Sequence, residues 1–181
     1  MQSGWTPWDR STSIRSSRRS HTLTSKSLMA TKPENTFREG VHRHLKGKPV
    51  HHEKMSNPYS SGTADDWYSG KGQGSSDLWI EYKYIPRQPQ RGSVKISKLF
   101  SALQLEWLTG RHREGRNVAV IIGSPNGGLI LLDEDWGLES VTVEYFNSRV
   151  RSRPDLAAWI REQVEGKSCS ESCPLPRERR A

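Results

Sequence analysis

Two rhythms of apolar residues run along this chain, and the sharpest is a period of two. In the run DLWIEYKYI, residues 77–85, Leu78, Ile80, Tyr82 and Tyr84 fall on one face of a strand while Trp79, Glu81 and Lys83 fall on the other. Trp67 and Tyr68 predict a strand before it, and Gly70, Gly72 and Gly74 supply the turn between the two. Residues 118–123 are apolar on both faces, which predicts an inner strand covered by helices; Pro125, Asn126, Gly127 and Gly128 turn it into a hairpin with 129–132. Residues 50–55 predict a first, edge strand with His52 and Lys54 on one side, and 141–146 (VTVEYF) a last edge strand.

The second rhythm is helical. Phe37, Val41 and Leu45 recur every four residues and predict an amphipathic helix over 31–45. Leu99, Leu103 and Trp107 predict another over 99–109, closed by Gly110. Ser152, Pro154 and Asp155 open a last helix through Leu156, Ile160 and Val164, with Gly166 behind it. Helices alternating with strands give an α/β class: a mixed sheet of four or five strands flanked by helices.

A length of 181 residues with only 32% hydrophobic content suits one domain with polar tails. The domain is placed at 29–166. Residues 1–28, rich in Ser, Thr and Arg, and 167–181 carry too little periodic apolar surface to offset the entropy of ordering. Met29, just before the first helical signal, is an alternative start; a basic arm that adds nucleic-acid affinity is the competing reading of 1–28. The net charge of +8 favours a polyanionic partner and is equally compatible with DNA, RNA or an anionic surface. No apolar run reaches membrane-spanning length and the basic N-terminus lacks a signal peptide's apolar stretch, so no membrane partner and a cytoplasmic location are expected. Cys169 and Cys173 fall in the polar tail, where they build neither a disulfide framework nor a zinc site.

The chemistry concentrates at residues 62–83. Glu81 and Lys83 share a strand face and follow two aspartates, Asp65 and Asp66, on the adjoining strand. Carboxylates set beside an ammonium can hold a divalent cation and an anionic reactant against it, which is a phosphodiesterase arrangement. The glycines of GKGQGSS lack the Lys-Ser/Thr ending and the following helix of a phosphate loop, and read as a hairpin tip. His51 and His52 are adjacent on a strand and point to opposite faces, so they cannot jointly ligate one ion without a bend. Asp77 reads as a turn residue. Residues 86–98 carry Arg87, Arg91, Lys95 and Lys98 with no acid, a loop able to follow phosphates, with a solvated surface loop as the alternative.

These residues resemble the PD-(D/E)XK nuclease superfamily, in particular its VRR-NUC and resolvase-like phage branch. Members have Gly-x-Pro-Asp, an aromatic-rich strand, a glycine-containing turn and a strand with Glu-x-Lys. Here stand Gly62-Thr63-Ala64-Asp65, Trp67-Tyr68 and Glu81-Tyr82-Lys83, with Ala64 in place of the proline. The resemblance extends loosely from Glu34 to Asp133. It implies a restriction-endonuclease-like core and a metal-dependent endonuclease acting on DNA, structure-specific for branched DNA, encoded by a phage and working in the bacterial host cytoplasm. It implies Mg²⁺, with Mn²⁺ able to substitute, held by Asp65, Glu81 and the Ile80 carbonyl; Asp66 competes with Asp65 for the first of these roles. It also implies a helical glutamate facing the site. Glu34 is the candidate, although Thr31-x-x-Glu34 equally spells a capping box. Lys83 would stabilise charge or act on the attacking water. Gln104 resembles a supporting glutamine, against which stands an exposed polar residue, and Lys54 an upstream phosphate contact. A non-catalytic nucleic-acid-binding protein on the same fold is the alternative function. RNA and a homodimer are left open.

Overall fold

The computed structural model describes residues 32–55, 62–87 and 90–165. The tails assigned to 1–28 and 167–181, Met29, and Thr31 lie outside the described residues. Helix α1 (Pro33–Leu45) is followed by β1 (Val50–Lys54), β2 (Asp66–Gly70) and β3 (Asp77–Tyr84), an antiparallel meander. A short strand β4 (Ser93–Lys95) and helix α2 (Ala102–Arg113) then lead to β5 (Val118–Ser124), which runs parallel to β3. Strand β6 (Gly127–Leu131) returns antiparallel to β5. The chain closes with β7 (Ser140–Thr142), α3 (Val143–Arg149) and α4 (Arg153–Val164).

The result is a five-stranded mixed sheet in the order β1-β2-β3-β5-β6, with β1 at one edge. Hydrophobic cores cover both of its faces, as the doubly apolar β5 requires. Phe37, Val41 and Leu45 of α1, with Leu156, Ile160 and Val164 of α4, pack on Leu78, Ile80, Tyr82, Ala119 and Ile121. Val118, Val120 and Ile122 face the other way, onto Leu108 of α2, Phe146 of α3 and Trp136. Ile121 and Ile122 are both fully buried, each contributing about 1.5–3 kcal/mol through removal from water. Gly123 lets α1 settle on β5, because a Cβ there would lie 2.6 Å from the Phe37 ring.

Two predicted elements differ. Helix α2 does not begin at Leu99, which ends a 3₁₀ turn (Ser97–Leu99); it begins after Ser101, whose hydroxyl accepts from the Gln104 N–H. Of the predicted Leu99-Leu103-Trp107 stripe, Leu99 and Trp107 pack against the second core from outside it, whereas Leu103 is half exposed and Leu108 is the residue of α2 that is buried. Gly110 lies inside the helix, which runs to Arg113. The VTVEYF run is not one strand. Ser140–Thr142 pairs with Ser93–Lys95 in a separate two-stranded sheet, and the Thr142 hydroxyl then accepts from the Tyr145 N–H, starting α3. Capping by Thr142 opens a helix despite the strand preference of Val143, Tyr145 and Phe146, because β-propensity is decided by context. The last helix is as expected, with Ser152 as its cap and Pro154 in its first turn. Among the described residues no helix is long and apolar enough to cross a membrane.

Candidate active site

Strand β2 begins at Asp66, so Asp65 stands just before it, and its side chain extends the β2–β3 ladder. The Tyr82 N–H donates to Asp65 Oδ2 at 2.8 Å, fixing this carboxylate beside the residue that follows Glu81. On the other side the Asp65 carbonyl accepts from the Met55 N–H at 2.8 Å. The turn into Asp65 depends on Gly62. Its φ is +94°, and a Cβ would lie 2.6 Å from the Leu103 carbonyl oxygen, so the backbone passes against the first turn of α2.

Alternation along β3 puts Glu81 and Lys83 on the same face, as the spacing predicts. Glu81 is only 1% exposed. Lys83 Nζ lies 2.7 Å from Glu81 Oε1, and the Gln104 amide donates to that same oxygen. Gln104 Oε1 in turn accepts from Lys83 Nζ at 3.3 Å and from the Ser101 N–H at 3.0 Å. Gln104 is thus the third residue of α2, half of its capping box, and a clamp on the Glu81–Lys83 pair. It joins the helix start to the strand in one side chain.

Glu34 approaches from α1. The helix begins after Lys32, whose side chain makes no cap hydrogen bond; the Thr31–Glu34 capping box involves Thr31 and lies outside the described residues. Burial and then Asp65 push the Glu34 carboxyl up, with Lys83 and Arg38 opposing. Asp65 is also raised by burial, against the pull of the Tyr82 N–H and Lys83. Glu81 is pushed up to about 7, by burial first and Asp65 second. Three carboxyl groups thus resist ionising together, with a single lysine in hydrogen-bond contact with one of them. A divalent cation would relieve that repulsion, and an all-oxygen donor set suits Mg²⁺ or Mn²⁺. Ile80, whose carbonyl the resemblance adds to the ligands, sits inside the sheet between Asp66 of β2 and Ala119 of β5.

Asp66 faces the opposite side of the sheet, under α1. It is fully buried. His52 Nε2 lies 2.9 Å from its Oδ1, while Arg38 Nε at 3.5 Å and His42 Nε2 at 3.8 Å face Oδ2. His42 also bonds the Tyr68 hydroxyl, which is 2.9 Å from that of Tyr82. Burial, and then the neighbouring His52, lower the His42 pKa to about 4, so the ring is neutral near pH 7. Burial pushes both tyrosines up. His42, His52 and Asp66 each offer one ligand atom, all within 4.8 Å of one another, and form a set that could hold a metal ion. Here, unlike at Glu81, the single carboxylate already has a buried arginine beside it.

This second cluster escaped the sequence reading. His51 and His52 do diverge, His51 lying exposed beside Glu53 and Trp67, but His52 finds its partner across space in His42. The available signal was the four-residue spacing of Glu34, Arg38 and His42, a polar stripe beside the apolar one on α1. The basic loop is also altered by folding. Arg87, Arg91, Lys95 and Lys98 are all exposed, and Lys95, in β4, pairs with Glu139 of the β7 approach at 2.9 Å. Lys54 ends β1, exposed and opposite Asp66, on the other side of the sheet from Glu81. Asp77 is the exposed first residue of β3.

No protein-family model matches this chain. The curated proteins give no match either. Among solved structures, Hjc, a Holliday junction resolvase of the archaeal hyperthermophile Archaeoglobus fulgidus, is similar at 16% identity over 68% of this chain and 98% of that one, with a TM-score of 0.44.

Proposed function

We propose that this chain is a divalent-metal-dependent endonuclease that hydrolyses phosphodiester bonds of DNA, with 29–166 as the catalytic domain. The convergence of Glu34, Asp65 and Glu81 on Lys83, from α1, the entry to β2, and β3, carries this reading. Holding one buried acid, Glu81, against two partly buried ones, Glu34 and Asp65, costs stability that hydrophobic residues would not, and a cation-binding reaction centre accounts for that cost.

Asp65 and Glu81, with the Ile80 carbonyl, would hold Mg²⁺, and Glu34 would join directly or through water. When bound, the ion supplies positive charge to the scissile phosphate and acidifies water. The chain's own groups do the remaining work. Lys83 offsets charge on the phosphate oxygens or positions the attacking water, and its contact with Glu81 holds it on the site face. Gln104 orients both of them, and the Tyr82 N–H orients Asp65. Arg87, Arg91 and Lys98 are exposed cations of the segment after β3 and follow the phosphates; Lys54 contributes from the far side of β1, and Lys95, also exposed, does so only by leaving Glu139.

The test is cleavage of linear duplex, single strands and a four-way junction, with Mg²⁺ or Mn²⁺ and with EDTA. Metal-dependent nicking by the purified chain, lost in Glu81→Gln, is expected. Binding of these substrates without cleavage under any metal would replace this reading with that of a non-catalytic nucleic-acid-binding protein.

A further inference from the structure

The sheet face that presents Glu81 and Lys83 also presents tryptophan. Trp79 stands two residues before Glu81 on β3, about 7 Å along the strand, and Trp67 of β2 is directly opposite it. Their rings are 6.3 Å apart. Trp107 of α2 lies 5.5 Å beyond Trp79, and His51 of β1 lies 5.5 Å beyond Trp67 on the other side. Trp67 and Trp79 face each other across β2 and β3, with His51 two residues out of register on β1 and Trp107 reaching over from α2, so four rings adjoin one another beside the candidate active site.

Ordinary packing does not account for the middle of this group. Among the described residues Trp67 and Trp79 belong to neither hydrophobic core; Trp79 meets the edge of Trp107, which does pack against the second core, and both Trp67 and Trp79 keep part of their surface in solvent. A hollow of about 490 Å³ opens against Trp79 and Trp107, lined also by Arg111, Arg116, Asn117 and Asp77. Thr63, two residues before Asp65, lies at its wall, so the hollow adjoins the segment that delivers the first carboxylate. Arg111 sits over the Trp107 ring at 5.7 Å while pairing with Glu114 on the exposed surface. Indole faces, cations for phosphate, and an amide and a carboxylate able to read a base edge are the groups that unstacked nucleobases require. A paired duplex offers no free base face.

We propose that Trp67, Trp79 and Trp107 form a stacking platform for unpaired nucleobases, which holds single-stranded nucleic acid on the face that carries Glu81 and Lys83. The proposal rests on the nucleic-acid reading above and deepens it, since it makes an unpaired segment part of the substrate. Stacking is indifferent to base identity, because every base has a π-face, so the platform selects strandedness and not sequence.

The experiment is fluorescence anisotropy in EDTA, so that no cleavage intervenes, with a labelled oligothymidylate of about fifteen nucleotides and an abasic strand of equal length. Both carry the same phosphates and differ in their bases. The full chain is expected to bind the base-bearing strand at least about 10-fold more tightly. Trp79→Ala should remove most of that difference and leave the abasic affinity unchanged, and Trp79→Phe should restore most of it. Equal affinity of the wild-type chain for both strands overturns the platform while leaving nucleic-acid binding in place. An equal loss on both strands in Trp79→Ala also overturns it, since the indole would then act by packing. If neither strand nor a duplex binds, the nucleic-acid reading fails and the platform with it.

Discussion

Asp65 and Asp66 are neighbours in the chain, yet they live in opposite electrostatic worlds. Asp65 joins Glu34 and Glu81 around one lysine, a set of acids that repel one another and are raised by burial. Asp66, on the far side of the sheet, is a lone carboxylate ringed by Arg38, His42 and His52. One cluster is short of positive charge and the other is balanced. The lesson is that burial of a carboxylate does not by itself mark a reaction centre; what distinguishes the two is whether the protein supplies the counter-charge or leaves it to be recruited.

The largest expected difference between the clusters is in cleavage. Asp65→Asn or Glu81→Gln should each reduce it by at least about 10²-fold even with Mn²⁺ supplied, while DNA binding in EDTA persists or tightens as a charge repelling phosphate is removed. Asp66→Asn should leave the cleavage chemistry in place. If instead Asp66→Asn abolishes cleavage in a folded chain and Asp65→Asn spares it, the assignment is off by one residue.

Stability should then move in opposite directions. Asp66→Ala strands a buried arginine and is expected to cost about 3–5 kcal/mol in urea unfolding. Glu81→Gln, measured in EDTA at pH 8, removes a charge that is buried against its neighbours and should stabilise by about 1–2 kcal/mol. Destabilisation by both would show that Glu81 is structurally balanced by Lys83 and Gln104.

Acidity separates the sides further. Glu81 has a folded pKa of about 7, above its ordinary 4.5, so the folded metal-free chain binds more protons than the unfolded one between these values. Its stabilising contribution is complete below pH 4.5 and is lost as pH rises through 7. His42 is depressed to about 4 from 6.5. Its contribution is complete above pH 6.5 and is lost as pH falls through 4. Each slope integrates to at most about 3–4 kcal/mol. Urea midpoints across pH 4–8 should therefore show Glu81→Gln removing a decline on the alkaline side, and His42→Gln removing a decline on the acid side. Mg²⁺ affinity should climb with pH up to about 7, because the ion competes with the Glu81 proton; a flat affinity would detach that carboxyl from the metal.

Smallest are the effects of single surface cations. If six or more phosphates are contacted, affinity falls by about 10³-fold or more between 50 and 200 mM salt. Replacing Arg87, Arg91 or Lys98 by Ala should lower the salt slope by about one each. Lys95→Ala should lower it less, since that ammonium is engaged by Glu139. Equal effects at all four positions would mean that the Lys95–Glu139 pair opens freely on binding.

Much of the fold was legible in the sequence because it is written in local periods. Alternation in residues 77–84 assigned each β3 side chain to its face, the doubly apolar 118–123 run announced a strand covered on both sides, and Ser152 with Pro154 opened α4. Glu81 and Lys83 share a face for the same local reason, whatever the rest of the chain does. Where two local signals competed, the pattern misled: Ser101 and Thr142 start helices that the leucine spacing and the VTVEYF run had placed otherwise. The remainder belongs to contacts between distant segments. Glu81 meets Gln104 across 23 positions, Tyr68 meets His42 across 26, and Lys95 meets Glu139 across 44. No period within one element encodes such meetings, because they depend on how α1 and α2 lie against the sheet. The sequence by itself determined which residues share a strand face; only packing decided that Asp65 sits among repelling acids while Asp66, one peptide bond away, is neutralised.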